Sequence, residues 1–146
     1  MTRAGFESRG SRWFSTSREL CWVFELDRGS SWAKLGMLVG VGVRAWLPGN
    51  GVARANDGHL YIEYPLLGSA VPPEAIGTRF DDHGSYFTMA FDHAHDLVSE
   101  EERRRAFDFM AADLAELVNR CSTEEELRSA VAAGTFDSGY VDPRLR

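Results

Sequence analysis

Apolar and polar residues alternate in twos along the first half of the chain and in threes and fours along the second. Leu20, Trp22, Phe24 and Leu26 alternate with Cys21, Val23 and Glu25, so the first set shares one face of a strand. The segment from Ser11 to Ser17 is expected to pair with it as a hairpin turning at Arg18-Glu19. Asp27-Arg28-Gly29-Ser30-Ser31 supplies the next turn. A long strand is expected from Leu35 to Leu47. Its odd positions Leu35, Met37, Val39, Val41 and Val43 are apolar, and its even positions include Gly36, Gly40 and Gly42. A strand with one bulky and one bare face bends, or takes something close on its bare side. Pro48-Gly49-Asn50-Gly51 is a turn. His59 to Leu66 reads as a further strand ending near Pro65, and Tyr86 to Phe91 as the last one. Residues 67–85 between them hold two Pro and three Gly with little periodicity, a length typical of functional loops.

The rhythm then changes. Ser99 followed by Glu102 is a capping box, and three acids in the first turn suit the helix dipole. Phe107, Met110, Ala111, Leu114, Leu117, Val118 and Cys121 form one apolar stripe on a helix of about six turns. Ser122 or Thr123 caps a second helix with Leu127, Ala130 and Val131 inward, stopped at Gly134. Strands followed by helices predict an α+β domain over residues 1–146, strand-rich at 10–92 and helical at 99–134. The expected architecture is an antiparallel sheet of about five strands with the C-terminal helices packed on one face.

Composition narrows the function. The 146 residues are 44% hydrophobic and 26% charged, ordinary for one folded domain. The net charge of −6 argues against a nucleic-acid partner. It is unevenly placed: residues 1–80 hold nine basic and seven acidic residues, residues 81–146 seven and fifteen. No apolar run reaches the ~20 residues that span a bilayer, and no signal peptide is visible. Cys21 and Cys121 stand 100 positions apart, neither a disulfide framework nor a metal knuckle. A reducing cytoplasm is the expected compartment.

Gly5-Phe6, Arg9-Gly10 and Trp13-Phe14, then Trp22-Val23-Phe24-Glu25-Leu26, an aromatic at Trp32, Leu38-Val39-Gly40-Val41 and the final helix pair make a longer pattern. It resembles the bacterial domain-of-unknown-function family numbered 4304 over most of the chain. The resemblance implies the fold alone. No activity is established for that family, and no functional residue is carried over.

Chemistry-bearing patterns are few. Gly40-Val-Gly42-Val-Arg-Ala45 has dinucleotide-loop spacing, but Trp46-Leu47-Pro48-Gly49 cannot open the helix that chemistry requires. Asp92-His93-Ala94-His95-Asp96, with Asp81, Asp82 and His83 upstream, offers mixed N/O ligands for zinc or manganese. Short stretches of this composition also serve as ordinary turns before a capped helix. No nucleophile elbow is present, and no Ser or Cys stands in a recognisable base-paired setting. Arg103-Arg104-Arg105 reads as a solvent face pairing with Glu100 and Glu101. Trp22 is assigned to the core. Trp32, Trp46, Tyr61 and Tyr64 are the candidate anchors for a protein partner, since half-exposed rings anchor interfaces.

The expected function is therefore a non-catalytic cytoplasmic binding or interaction protein without a cofactor. An immunity- or antitoxin-like protein steered by its acidic half to a basic partner is one form of it. The alternative is a metal-dependent hydrolase using Asp92, His93 and His95 under a 67–85 lid. Self-association through a sheet edge is a third reading.

Overall fold

The computed structural model describes Met1 and residues 4–27, 36–49, 51–64, 87, 90–92, 98–136 and 139–146. Six strands form one antiparallel sheet in the order of the chain: β1 (Glu7–Arg9), β2 (Arg12–Thr16), β3 (Leu20–Asp27), β4 (Gly36–Val43), β5 (Leu60–Tyr64) and β6 (Tyr140–Val141). Among the described residues between β5 and β6 in sequence, the helices α1 (Glu100–Arg120) and α2 (Glu124–Ala132) pack against the sheet. The α+β architecture expected from the change of rhythm is the one observed, and the sheet gains β1 and β6 at its two edges.

Register explains the core. Trp22 pairs with Val41 and Phe24 with Val39, while Val39 pairs with Ile62 and Val41 with Leu60. These side chains therefore rise from one face, and all six are at most 1% exposed. Met110, Leu114 and Leu117 of α1 and Leu127 of α2 close over them. Each fully buried side chain of this size contributes about 1.5–3 kcal/mol of transfer free energy. The indole N–H of Trp22 is buried there without a hydrogen-bond partner among the described residues.

Helix ends follow the sequence signals. Ser99 Oγ accepts from Glu102 N–H while the Glu102 carboxylate takes the Ser99 N–H, and Thr123 with Glu126 repeats the arrangement on α2. The Ser99 bonds hold the Glu102 carboxyl below its ordinary range. Thr123, not Ser122, is the cap. Past α2, Gly134 takes the left-handed φ of 79°, and Thr135 N–H reaches back to the Ala130 carbonyl at 3.1 Å.

The opposite face of the sheet is covered by backbone. After β4 the chain turns through a 3-10 segment (Arg44–Trp46), and its described residues up to Gly58 strap back across β3 and β4. Val52 and Ala55 bury against Val23, with Phe14, Cys21, Leu38, Leu47 and Tyr61 around them. The bare face of β4 is what admits this strap. A methyl on Gly40 would run into the Ala55 carbonyl and Cα, and one on Gly42 into the Val52 and Leu47 side chains. The dinucleotide-like glycines are thus mid-strand packing positions.

Two expectations are corrected. Phe87, Ala90 and Phe91 are helical, not extended. Their spacing of three and four buries all three together. Phe87 meets the Tyr64 ring edge-on at 5.0 Å, and Phe91 lies 4.7 Å from Phe107. Arg103 does not face solvent. It is 6% exposed, and its Nη1 donates to the Ala90 and Asp92 carbonyls at 3.2 and 2.7 Å. Arg105 does pair outward, 3.7 Å from Glu101.

Candidate functional site

The strap is fastened by a charged group inside the sheet. Glu25 on β3 points to the strap side and is 7% exposed. Its Oε1 accepts from Arg12 Nε at 3.1 Å and Arg54 Nη2 at 3.2 Å, and its Oε2 from the Ala55 N–H at 3.3 Å. Burial pushes this carboxyl up, but the Ala55 N–H and the two guanidiniums outweigh it, so Glu25 sits below the ordinary glutamate value of 4.5. An acid within the apolar run of β3 was the sequence signal for this contact.

Beyond the strap, where β2 turns into β3 and β4 ends, an open cleft of about 830 Å³ remains. Thr16, Arg18, Glu19 and Cys21 line it from the β2–β3 side, Val43 from the end of β4, Arg44, Ala45, Leu47, Gly49 and Gly51 from the strap, and Glu124 from α2. Pairing of Leu20 with Val43 and Cys21 with Gly42 brings these segments together. The Arg44 N–H donates to the Glu19 carbonyl at 2.8 Å, and Arg44 Nη1 donates to the Arg18 carbonyl at 3.4 Å. The start of α2 is tied to the same turn. Glu19 N–H and Ser17 Oγ both donate to the Ser122 carbonyl, and the Glu19 carboxylate accepts the Glu124 N–H at 2.9 Å. Cys21 is half-buried in the wall. No histidine is among the described lining residues.

The anchors expected from sequence do not share one surface. Tyr64 is 3% exposed on the helix side, and its hydroxyl donates to Asp113 at 3.0 Å. Tyr61 is half-buried on the opposite face beside the strap. Trp46 is half-buried at the end of the strap's first turn. His59 meets it edge-on at 5.2 Å, and the Arg144 and Arg128 guanidiniums lie 4.5 and 5.7 Å from its ring. His59 is itself constrained. Its Nδ1 accepts the Val43 N–H at 2.9 Å, and burial together with nearby Arg144 pushes its pKa down despite Asp142. Both arginines are also paired, Arg144 with Asp142 and Arg128 with Glu124, each at 2.8 Å or less. The Arg144 side chain and N–H hold the Asp142 carboxyl down at about 2. This cluster fastens the C-terminal segment over the strap and is already satisfied.

Trp32, His93 and His95 lie outside the described residues. Asp92 is 5% exposed. Among the described residues no group of three His, Cys, Asp or Glu side chains could hold a metal ion. Cys121 is a core residue, and burial pushes its thiol up. No described helix is long and apolar enough to cross a membrane. In the sequence Arg18-Glu19 reads only as a turn, and nothing local marks Thr16 or Arg44 as part of a site. Their convergence depends on the β3–β4 register, which no local pattern encodes. No family model, curated protein or solved structure matches the chain.

Proposed function

We propose that the chain is a non-catalytic cytoplasmic binding protein that takes a small ligand in the cleft between the β2–β3 turn, the strap and the start of α2. One observation carries this reading. The cleft has the volume of a small-molecule site, about 300–1,000 Å³ in general, yet its described walls place no imidazole beside the Cys21 thiol. Its two carboxylates are engaged, Glu19 by the Glu124 N–H and Glu124 by Arg128. Such walls can hold a molecule, and among their described residues no imidazole stands ready to activate a nucleophile. The two cysteines are free thiols, in keeping with a reducing compartment.

The test is a fragment screen on the intact chain followed by amide chemical shifts. Hits are expected to perturb Thr16, Cys21, Arg44 and Gly51 together. Hits confined to other surfaces, or turnover of a bound fragment, would overturn the reading.

A further inference from the structure

We infer that the cleft is an oxyanion site in which Arg18 and Arg44 clamp a phosphate or carboxylate group of a small molecule. The inference rests on the cleft being the binding site and adds the chemistry of its ligand.

Available hydrogen-bonding capacity supports this: Arg18 and Arg44 are solvent-exposed, and a ligand oxygen would displace water from them and not a carboxylate of the described residues. Four charged side chains line the cleft: Arg18, Arg44, Glu19 and Glu124. Both acids are committed to groups that are not the cleft's arginines. Glu19 Oε2 accepts the Glu124 N–H, and Glu124 Oε1 accepts Arg128 Nε and Nη2 at 2.9 and 2.8 Å. Neither cleft arginine has a carboxylate partner among the described residues. Arg44 has one long bond to a carbonyl, and Arg18 lends only that carbonyl. A guanidinium carries five donors in a planar fork suited to two oxygens of one anion. Thr16 adds a hydroxyl to the same wall.

The nearby start of α2 is not the source of this preference. Its Glu124 N–H is bonded to Glu19, its Glu126 N–H to Thr123 Oγ1, and the Ser122 and Thr123 N–H groups to the Glu126 carboxylate. Among the described lining residues, the side-chain donors left to meet a charged ligand group are those of Arg18, Arg44 and Thr16. The described walls carry two arginines and two carboxylates, so the preference for an oxyanion comes from the open forks of the guanidiniums and not from a net positive field. A long-range field would not draw anions to this molecule; a local clamp would hold them.

The test titrates inorganic phosphate, tripolyphosphate and citrate separately into the full chain at low salt, read by calorimetry and amide shifts. At least one anion is expected to bind with shifts at Thr16, Cys21 and Arg44, and to slow alkylation of Cys21 by neutral iodoacetamide. Arg18→Ala and Arg44→Ala are each expected to weaken binding about tenfold or more, and the double variant to abolish it. Arg105→Ala, on the outer side of α1, is expected to change nothing. Circular dichroism verifies the fold of each variant. Binding of the phosphates alone, or of citrate alone, supports the site and identifies its source chemistry. Equal binding by the double variant, or no binding by any of the three, overturns it. If anions fail while neutral fragments still shift the cleft amides, the oxyanion assignment falls and the binding reading stands. If both fail, both fall.

Discussion

On the face that meets α1 and α2, β3 and β4 bring Trp22, Phe24, Val39 and Val41, and large side chains from the helices fill the space between them. On the other face the same strands bring Val23, Glu25, Gly40 and Gly42, and the strap lies directly on them: the Ala55 carbonyl and Cα over Gly40, the Val52 and Leu47 side chains over Gly42. The first face is held by apolar area, which is non-directional and tolerates repacking. The second is held by close approach and one charged fastener, both of which depend on position. Function follows this division. The proposed site lies where the strap begins and where main-chain covering leaves a cleft, while the helix-covered side is a sealed core.

The comparison breaks most forcefully from the helix side. Phe24 is fully buried, its ring 4.8 Å from Phe6 and 6.3 Å from Trp22. Phe24→Ala is expected to lose about 3–5 kcal/mol in urea unfolding, through lost transfer energy and the cavity left behind. On the strap side the damaging change is addition. Gly40→Ala has no room and must lift Ala55, at an expected cost of about 1–3 kcal/mol. Its signature is lost hydrogen-exchange protection at the Ala55 amide while α1 amides keep theirs. Equal loosening of both layers would show that the two faces are not independent.

The smallest expected effect is on the fastener. Glu25→Gln keeps the shape but leaves Arg12 and Arg54 without an anion, at about 1–2 kcal/mol, because both arginines remain partly wet. The folded pKa of Glu25 is lowered, so its contribution is complete above the ordinary value of 4.5 and is lost as pH falls through the lower folded value. As pH falls from above 4.5 through the lower folded value, the wild type is expected to lose its advantage over Glu25→Gln. An advantage that stays constant across that window would remove the carboxylate from the account of the strap.

Legibility of the sequence divides along the same line. The helix-covered face was readable because its residues repeat at two on β3 to β5 and at three and four on α1. The capping boxes at Ser99 and Thr123 are local chemistry and were readable too. β1 and β6 were not, since Glu7-Ser8-Arg9 and Tyr140-Val141 have too few residues for periodicity and are strands only by pairing. The bare side of β4 announced that something would come close, but nothing in residues 44–58 says that they are the visitor. Phe87 to Phe91 misled because short aromatic runs suit either period until their neighbours are known. The cleft was silent for the same reason: Arg18 and Arg44 meet across a strand pairing.

The order of the sheet also bears on how the chain reaches it. The first five strands follow one another in the sheet, so their joining closes loops of at most sixteen residues at modest entropic cost. Tyr140–Val141 must find Leu60–Tyr61 from about 80 residues away, after both helices. Early hairpins and a late C-terminal edge are the kinetic order this topology favours. The Arg144 guanidinium over Trp46 then arrives among the last contacts, as a seal on a structure otherwise complete.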